Sequence, residues 1–490
     1  MNVKKNIISL LQSIMLFIGR KRLPAWLLVV FFSASVTADM LPTSIAQTLI
    51  RYDIPVTDVS IEIRNIASNH SVLSVNSDKS RNPASVIKLF TTLAALELLG
   101  PQHQWKTRYY LDGRLQGDIL IGNLVLQGGG DPFLTVDKLW LHVMTLRSLG
   151  IRTISGNLII DNTFYSIPKH DRSDFDGAST RLYNVGPDAT LVNFSATRLV
   201  IQPLDGNIYL RNEPPLEGMK LINNLKPKSG KCRGKTKGWN YRIDRRDDSV
   251  EVRFDGNYSS RCGFYSISRS LFSNNEYTYR LFKRLWIQSG GALEGSYRIA
   301  ALPDNSQLLS THSSLPLSDI IKSINKFSNN VMARMLFLNL DAKNEDSQAT
   351  LSGARSKISN WLLSNNIKMP SLHIDNGSGL SRATKTTASG IADLLHFSWH
   401  SIYRPEFLSS LPLAALDGTM RKRLNNSPLV GRARIKTGSL KGVRSMAGYV
   451  VDNSGETYSV TVLIQSSNIT FQSGNQVQDA VLKWIHAREK

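Results

Sequence analysis

The sequence predicts an α+β fold: a mainly antiparallel sheet assembled from both ends of the chain and packed by helices, with a large β-rich insertion of one or two small domains between them. Three observations carry this expectation. Alternating apolar and polar residues mark a strand pair at 59–66 and 71–75, and three further strands at 432–439, 444–452 and 458–465. Apolar helical runs at 85–99, 317–327 and 331–340 lie between these two groups. From 101 to about 305 the texture changes to short strands with frequent glycine and proline.

The chain has 490 residues, 41% hydrophobic and 20% charged, which is enough for a sizeable core and, at about 150 residues per domain, roughly three domains. Its first 38 residues read as a leader. Arg20-Lys21-Arg22 precede an apolar run at 23–32 and small residues ending at Ala38, the pattern of a secretory signal cut after Ala38. A second apolar run at 7–18 makes Met15 an alternative start to Met1. Neither run reaches the ~20 apolar residues of a membrane-spanning helix. Export to the periplasm is therefore expected.

The formal net charge is +21. The leader holds five basic residues (Lys4, Lys5, Arg20, Lys21, Arg22) and no acidic one, so its removal leaves +16. Zinc-finger spacing and RNA-binding aromatic signatures are absent, which disfavours a nucleic-acid partner. In an exported protein the charge fits anionic envelope polymers or plain solubility equally well. Two cysteines occur, Cys232 and Cys262; in an oxidising compartment a disulfide between them is expected, worth about 3–4 kcal/mol by loop closure, with two free thiols as the alternative. Cys-x-x-Cys and His-Glu-x-x-His are both missing, so no metal site is expected.

In chain order, a short helix at 41–52 leads into the 59–75 hairpin and the 85–99 helix. Strands at 109–113 and 118–126 are expected to break at the Asp112-Gly113 and Gly122-Asn123 turns. Gly128-Gly129-Gly130 lacks a following Gly-Lys-Ser/Thr and reads as a tight turn, not a phosphate loop. A helix at 136–149, a strand at 156–161, a strand-rich stretch at 196–270 and a helix at 277–287 complete the insertion. After the helices at 317–340 come a loop at 375–382, an Asp417-Gly418-Thr419-Met420 turn, the three late strands and a closing helix at 477–488. The expected division is a leader at 1–38, a main domain at 39–100 and 306–490, one insertion domain at 101–195 and 279–305, and a second at 196–278.

Three short motifs carry chemistry. Ser85 and Lys88 are three apart on a helix, so hydroxyl and amine share a face and form a nucleophile with a base. The same spacing recurs at Ser166–Lys169, where Pro168 argues against a helix, and at Ser323–Lys326. Ser328-x-Asn330 follows in a break between two helices, and Lys436-Thr437-Gly438 lies on a strand. In this order, on these elements, the set resembles the serine penicillin-recognising enzymes. The gap of about 240 residues between the first two motifs, the Gly-Gly-Gly-Asp-Pro turn, Asp375-Asn-Gly-Ser-Gly-Leu-Ser-Arg382, Leu-Asp-Gly-Thr and Lys436-Thr-Gly-Ser-Leu-Lys-Gly-Val-Arg444 resemble one subgroup. That subgroup is the class C low-molecular-mass penicillin-binding proteins, D-alanyl-D-alanine carboxypeptidase/endopeptidases of the penicillin-binding protein 4 type. The likeness covers about residues 40–488 and is weakest at 200–280.

The resemblance implies a serine β-lactamase/DD-peptidase-like domain that cleaves D-Ala-D-Ala ends and cross-links of peptidoglycan stem peptides and is acylated by β-lactams. It implies Ser85 as nucleophile, Lys88 as its base, and Ser328 with Lys436 as a proton relay to the leaving amine. Asn330 would orient Lys88 and bind the substrate amide. The backbone N–H groups of Ser85 and Ser439 would form the oxyanion hole. Thr437, Ser439 and Lys436 would receive the substrate's terminal carboxylate, with Gly438 also bordering the substrate, and no metal or organic cofactor would be needed. Burial and the nearby Lys436 are expected to lower the Lys88 pKa. Asn329 stands where the pattern has Asp. Rival readings are a β-lactamase or esterase of the same fold, which would show a far shorter gap between the first motifs, a Ser-His-Asp hydrolase, for which no Gly-x-Ser-x-Gly elbow is present, and a non-catalytic peptidoglycan-binding protein, which has no use for the whole motif set.

Overall fold

The computed structural model describes residues 41–246, 249–342 and 348–488, so the expected leader lies outside the described residues. The described residues from Thr48 onward form one compact unit. Its organising layer is a five-stranded antiparallel sheet in the order Ala433–Leu440, Val443–Val451, Thr457–Gln465, Val59–Asn65, Ser71–Val75. The two chain ends meet where Ile61 pairs with Val462, as the early and late alternating stretches predict. Strand Thr457–Gln465 is buried on both faces over most of its length, which suits its unbroken Val-Thr-Val-Leu-Ile run.

Helices Lys88–Leu99, Leu317–Phe327, Asn330–Asn339, Leu351–Ser364 and Ala388–His400 share one core with this sheet, through side chains such as Phe90, Ile324, Leu336, Ile358, Leu395 and Leu463. Helices Leu351–Ser364, Ala388–His400 and Arg404–Ser410 are additions to the sequence reading. Thr350 and Thr387 cap the first two by accepting hydrogen bonds from the backbone N–H of Gly353 and Gly390.

The seven-stranded sheet of the insertion corrects one expectation. Lys106–Gln116 and Ile119–Gly128 run unbroken through both expected turns, and Gly113 pairs directly with Gly122. These two glycines have φ of +151° and +133°, and a Cβ on either would lie 2.3 Å from a facing carbonyl oxygen. The dipeptides are where two strands close up, and the reversal itself falls at Gly117-Asp118. Gln307–Ser313 joins this sheet beside Lys106–Gln116, so the chain returns to the helical layer at Leu317 and not at 306. Two three-stranded sheets follow within 197–269, one centred on Thr197–Leu204 and one on Ser249–Ser259. Cys232 and Cys262 are joined by a disulfide, their Cα atoms 4.9 Å apart.

Candidate active site

Ser85 stands on a 3₁₀ turn, Ala84–Ile87, immediately before helix Lys88–Leu99 begins at Lys88. The entry is built by short-range bonds. Asn82 Oδ1 accepts from the Ala84 N–H (2.8 Å), and Pro83 O accepts from Val86 N–H (3.1 Å) and from Ser445 Oγ (2.6 Å). Ala84 is held at φ +45°, a left-handed conformation that costs a non-glycine residue on the order of 1 kcal/mol or more. Two glycines make room for this turn. A Cβ on Gly379 would lie 2.0 Å from Ala84 O, and one on Gly438 would lie 2.8 Å from both Pro83 O and Ser85 N.

Lys88 is completely buried. Its Nζ donates to Ser85 Oγ (2.9 Å), to Asn330 Oδ1 (2.7 Å) and to the carbonyl of Ser378. One turn along the same helix face, Thr91 Oγ1 donates to Gly377 O (2.8 Å), so the 375–382 loop is docked onto the helix by successive carbonyls. All three Lys88 acceptors are neutral. Burial, and then the positive charges of Lys436 and Arg334, hold the Lys88 amine well below its ordinary pKa.

Ser328 occupies a left-handed residue (φ 56°, ψ 39°) that ends helix Leu317–Phe327. Asn329 then caps helix Asn330–Asn339, its Oδ1 accepting from Val331 N–H (3.0 Å) and Met332 N–H (3.1 Å). An asparagine side chain serves this cap as well as the expected aspartate would. From the edge strand, fully buried Lys436 donates to Ser328 Oγ (2.8 Å) and to Thr437 O (2.8 Å), and burial lowers its pKa to about 7. Thr437 Oγ1 donates to Thr419 Oγ1 (2.9 Å), and Ser439 is exposed. Ser85, Ser328, Thr437, Gly438 and Ser439 line one cleft of about 310 Å³, together with Thr419, Arg423 and Phe471.

The structure thus brings together every residue singled out in the three motifs. The two other Ser-x-x-Lys matches lie elsewhere: Lys326 pairs with Asp417 (2.5 Å), and Ser166 lies in a loop bonded to Ala349 O. Four contributors were absent from the sequence reading as site residues. Ser378 contributes a carbonyl to Lys88, Ser445 fixes Pro83, Arg334 adds positive charge, and Thr419 partners Thr437. The glycines flanking Ser378 were a signal of close backbone approach, and Thr419 lies in the Leu-Asp-Gly-Thr stretch; Ser445 and Arg334 carry none in the sequence.

A serine hydrogen-bonded to a buried lysine, beside the edge strand of an antiparallel sheet packed by helices, defines the class: the serine β-lactamase/DD-peptidase-like fold. The chain belongs, more narrowly, to the D-Ala-D-Ala carboxypeptidase 3 (S13) family, whose model matches residues 41–488. It is 26% identical over 455 residues to "D-alanyl-D-alanine carboxypeptidase DacB" of Haemophilus influenzae, covering 89% of this chain and 90% of the relative. It is 24% identical over 414 residues to a "D-alanyl-D-alanine carboxypeptidase" of an Actinomadura species, covering 81% of this chain and 76% of the relative. Among solved structures it resembles penicillin binding protein 4 (dacB) of Haemophilus influenzae, with a TM-score of 0.72, 22% identity, and coverage of 91% of this chain and 100% of the other.

Proposed function

We propose that this protein is a serine DD-carboxypeptidase/endopeptidase of peptidoglycan, exported to the periplasm, which cleaves D-Ala-D-Ala ends and D-Ala cross-links through an acyl-enzyme on Ser85. The observation that carries the reading is the Ser85–Lys88–Asn330 triad, in which a buried lysine has only neutral acceptors. Burial, with the cations Lys436 and Arg334 nearby, pushes the pKa of this amine down, which favours the form that can take a proton. Ser85 Oγ attacks the carbonyl carbon of the penultimate D-Ala while its proton passes to Lys88 Nζ. Collapse of the tetrahedral intermediate breaks the C–N bond; the leaving amine takes a proton by way of Ser328, which Lys436 hydrogen-bonds. Water then attacks the Ser85 ester, releasing the shortened stem peptide and restoring the hydroxyl.

The substrate's terminal carboxylate fits the cleft beside Thr437 and Ser439, with Lys436 beneath the strand. With its oxygen turned to Lys88, Asn330 keeps its amide N–H groups for the substrate backbone. A β-lactam presents the same carboxylate and a strained amide, so it acylates Ser85 and blocks the cleft. The test is incubation of the purified protein with a fluorescent penicillin. A covalent band is expected for the wild type and none for Ser85→Ala; an equal band in both, or none in either, overturns the proposal. Release of free D-Ala against cleavage of cross-linked muropeptide dimers then measures how the two activities divide.

A further inference from the structure

Segment 226–237 carries six basic residues in twelve and no acidic one: Lys226, Lys228, Lys231, Arg233, Lys235 and Lys237. Every residue of it is exposed. The segment is nonetheless built to shape. Lys226 and Lys228 end a strand in parallel register with Asn257 and Ser259, and the Cys232–Cys262 disulfide ties the middle to the neighbouring turn. Gly230 O accepts from Ser259 Oγ (2.9 Å), and Lys235 O accepts from Trp239 Nε1 (2.9 Å). The disulfide also brings exposed Arg261 alongside, one residue before Cys262.

Several acidic groups on strands of the two three-stranded sheets have other partners. Glu213 pairs with Arg198 and Arg211, Asp244 with Arg242, Glu251 with Arg246, and Asp255 accepts from Asn224. Among the described residues, none of the seven basic side chains takes part in an ion pair. Within a chain of net charge +21, a disulfide-tied turn with this many basic side chains outside any ion pair is an attractor for polyanions. Its composition narrows the partner. Five of the seven are lysines, hydrated point charges suited to a diffuse anionic partner, whereas a fixed bidentate site would favour arginine. Apart from Pro227 and Cys232 the segment holds no apolar side chain, so it has nothing to insert into a bilayer.

We infer that the disulfide-stapled 226–237 turn, with Arg261, is a docking surface for a hydrated carboxylate-bearing polymer, namely the peptidoglycan meshwork through its free stem-peptide carboxylates. The choice of polymer rests on the proposed function; the surface itself does not. Docking by several weak contacts holds the enzyme on an insoluble substrate while single stem peptides exchange at the Ser85 cleft.

The experiment is co-sedimentation of the mature protein with purified sacculi at rising salt. The wild type should pellet at low ionic strength and be released at about 0.5 M salt, where screening shortens to a few ångströms. A variant with Lys226, Lys228, Lys231, Arg233, Lys235 and Lys237 all replaced by Gln should bind about tenfold or more weakly, with a shallower salt dependence. Its rate of acylation by fluorescent penicillin should equal the wild-type rate, which also shows that it folds. Ser85→Ala should pellet like the wild type. A wild type that pellets but is not acylated strikes the proposed function alone, and one that is acylated but does not pellet in a charge-dependent way strikes this inference alone. Equal pelleting of the six-site variant, salt-insensitive pelleting, or tighter binding to phosphatidylglycerol vesicles than to sacculi overturns the inference.

Discussion

At the cleft, Lys88 and Lys436 are fully buried and donate to hydroxyl, amide and carbonyl oxygens; on the 226–237 turn, five lysines stand in water. The two settings use the same side chain in opposite ways. Burial penalises the ammonium form, so the cleft lysines have lowered pKa values and one can act as a base. The turn lysines face solvent, where they meet a partner through long-range attraction and not through a fixed contact. In the cleft, position within an ångström decides function. On the turn, the number of charges decides it.

Exchanging lysine for arginine breaks the comparison most sharply, because arginine cannot lose its proton at working pH. Lys88→Arg and Lys88→Met should both slow acylation by penicillin about 10³-fold or more, within the range attributed to general-base catalysis. Replacing the five turn lysines by arginine should change sedimentation with sacculi by less than about threefold. Near-normal acylation in Lys88→Arg would remove Lys88 from the role of base.

The second prediction concerns stability. Lys436 is lowered from 10.5 to about 7 in the folded protein, so between those values the unfolded chain binds more protons and stability rises with pH. The penalty is fully present below about pH 7 and vanishes near 10.5. A shift of that size corresponds to at most about 5 kcal/mol. Lys436→Met should therefore raise the melting temperature at pH 7 while reducing acylation about 10²-fold, and the thermal gain should shrink towards zero at pH 10. A variant that melts lower than the wild type at pH 7 would show that the bonds to Ser328 and Thr437 outweigh the burial cost.

Much of this site was legible in the sequence because each motif carries its own local geometry. Three-residue spacing brings Ser85 to Lys88, a break between helices sets Ser328 at a helix end, and Lys436 and Thr437 fall side by side on one strand. Two kinds of feature were not legible. Helix Ala388–His400 has Ile391, Ala392, Leu394 and Leu395 buried on several sides, and a helix wrapped in core loses the one-sided stripe that periodicity detects. Gly113 and Gly122 imitate turn dipeptides, and only the facing strand reveals that they exist for close approach. Backbone groups such as the Ser378 carbonyl carry no residue-type signature at all.

The smallest expected effect tests what keeps Lys88 in its buried setting. Asn330, whose Oδ1 accepts a hydrogen bond from Lys88 Nζ, is the first residue of a helix whose start is fixed by the Asn329 cap. Asn329→Ala leaves the N–H groups of Val331 and Met332 without that acceptor, a loss of about 1 kcal/mol by the usual worth of an N-cap. Chemical denaturation should read that loss, and acylation should slow only a few-fold, because the helix remains packed through Met332, Leu336 and Phe337. Asn329→Asp should restore stability, since a carboxylate accepts the same two bonds and favours a helix N-terminus. If alanine proves neutral in stability, the cap is not what positions Asn330, and packing alone holds the partner of the buried lysine.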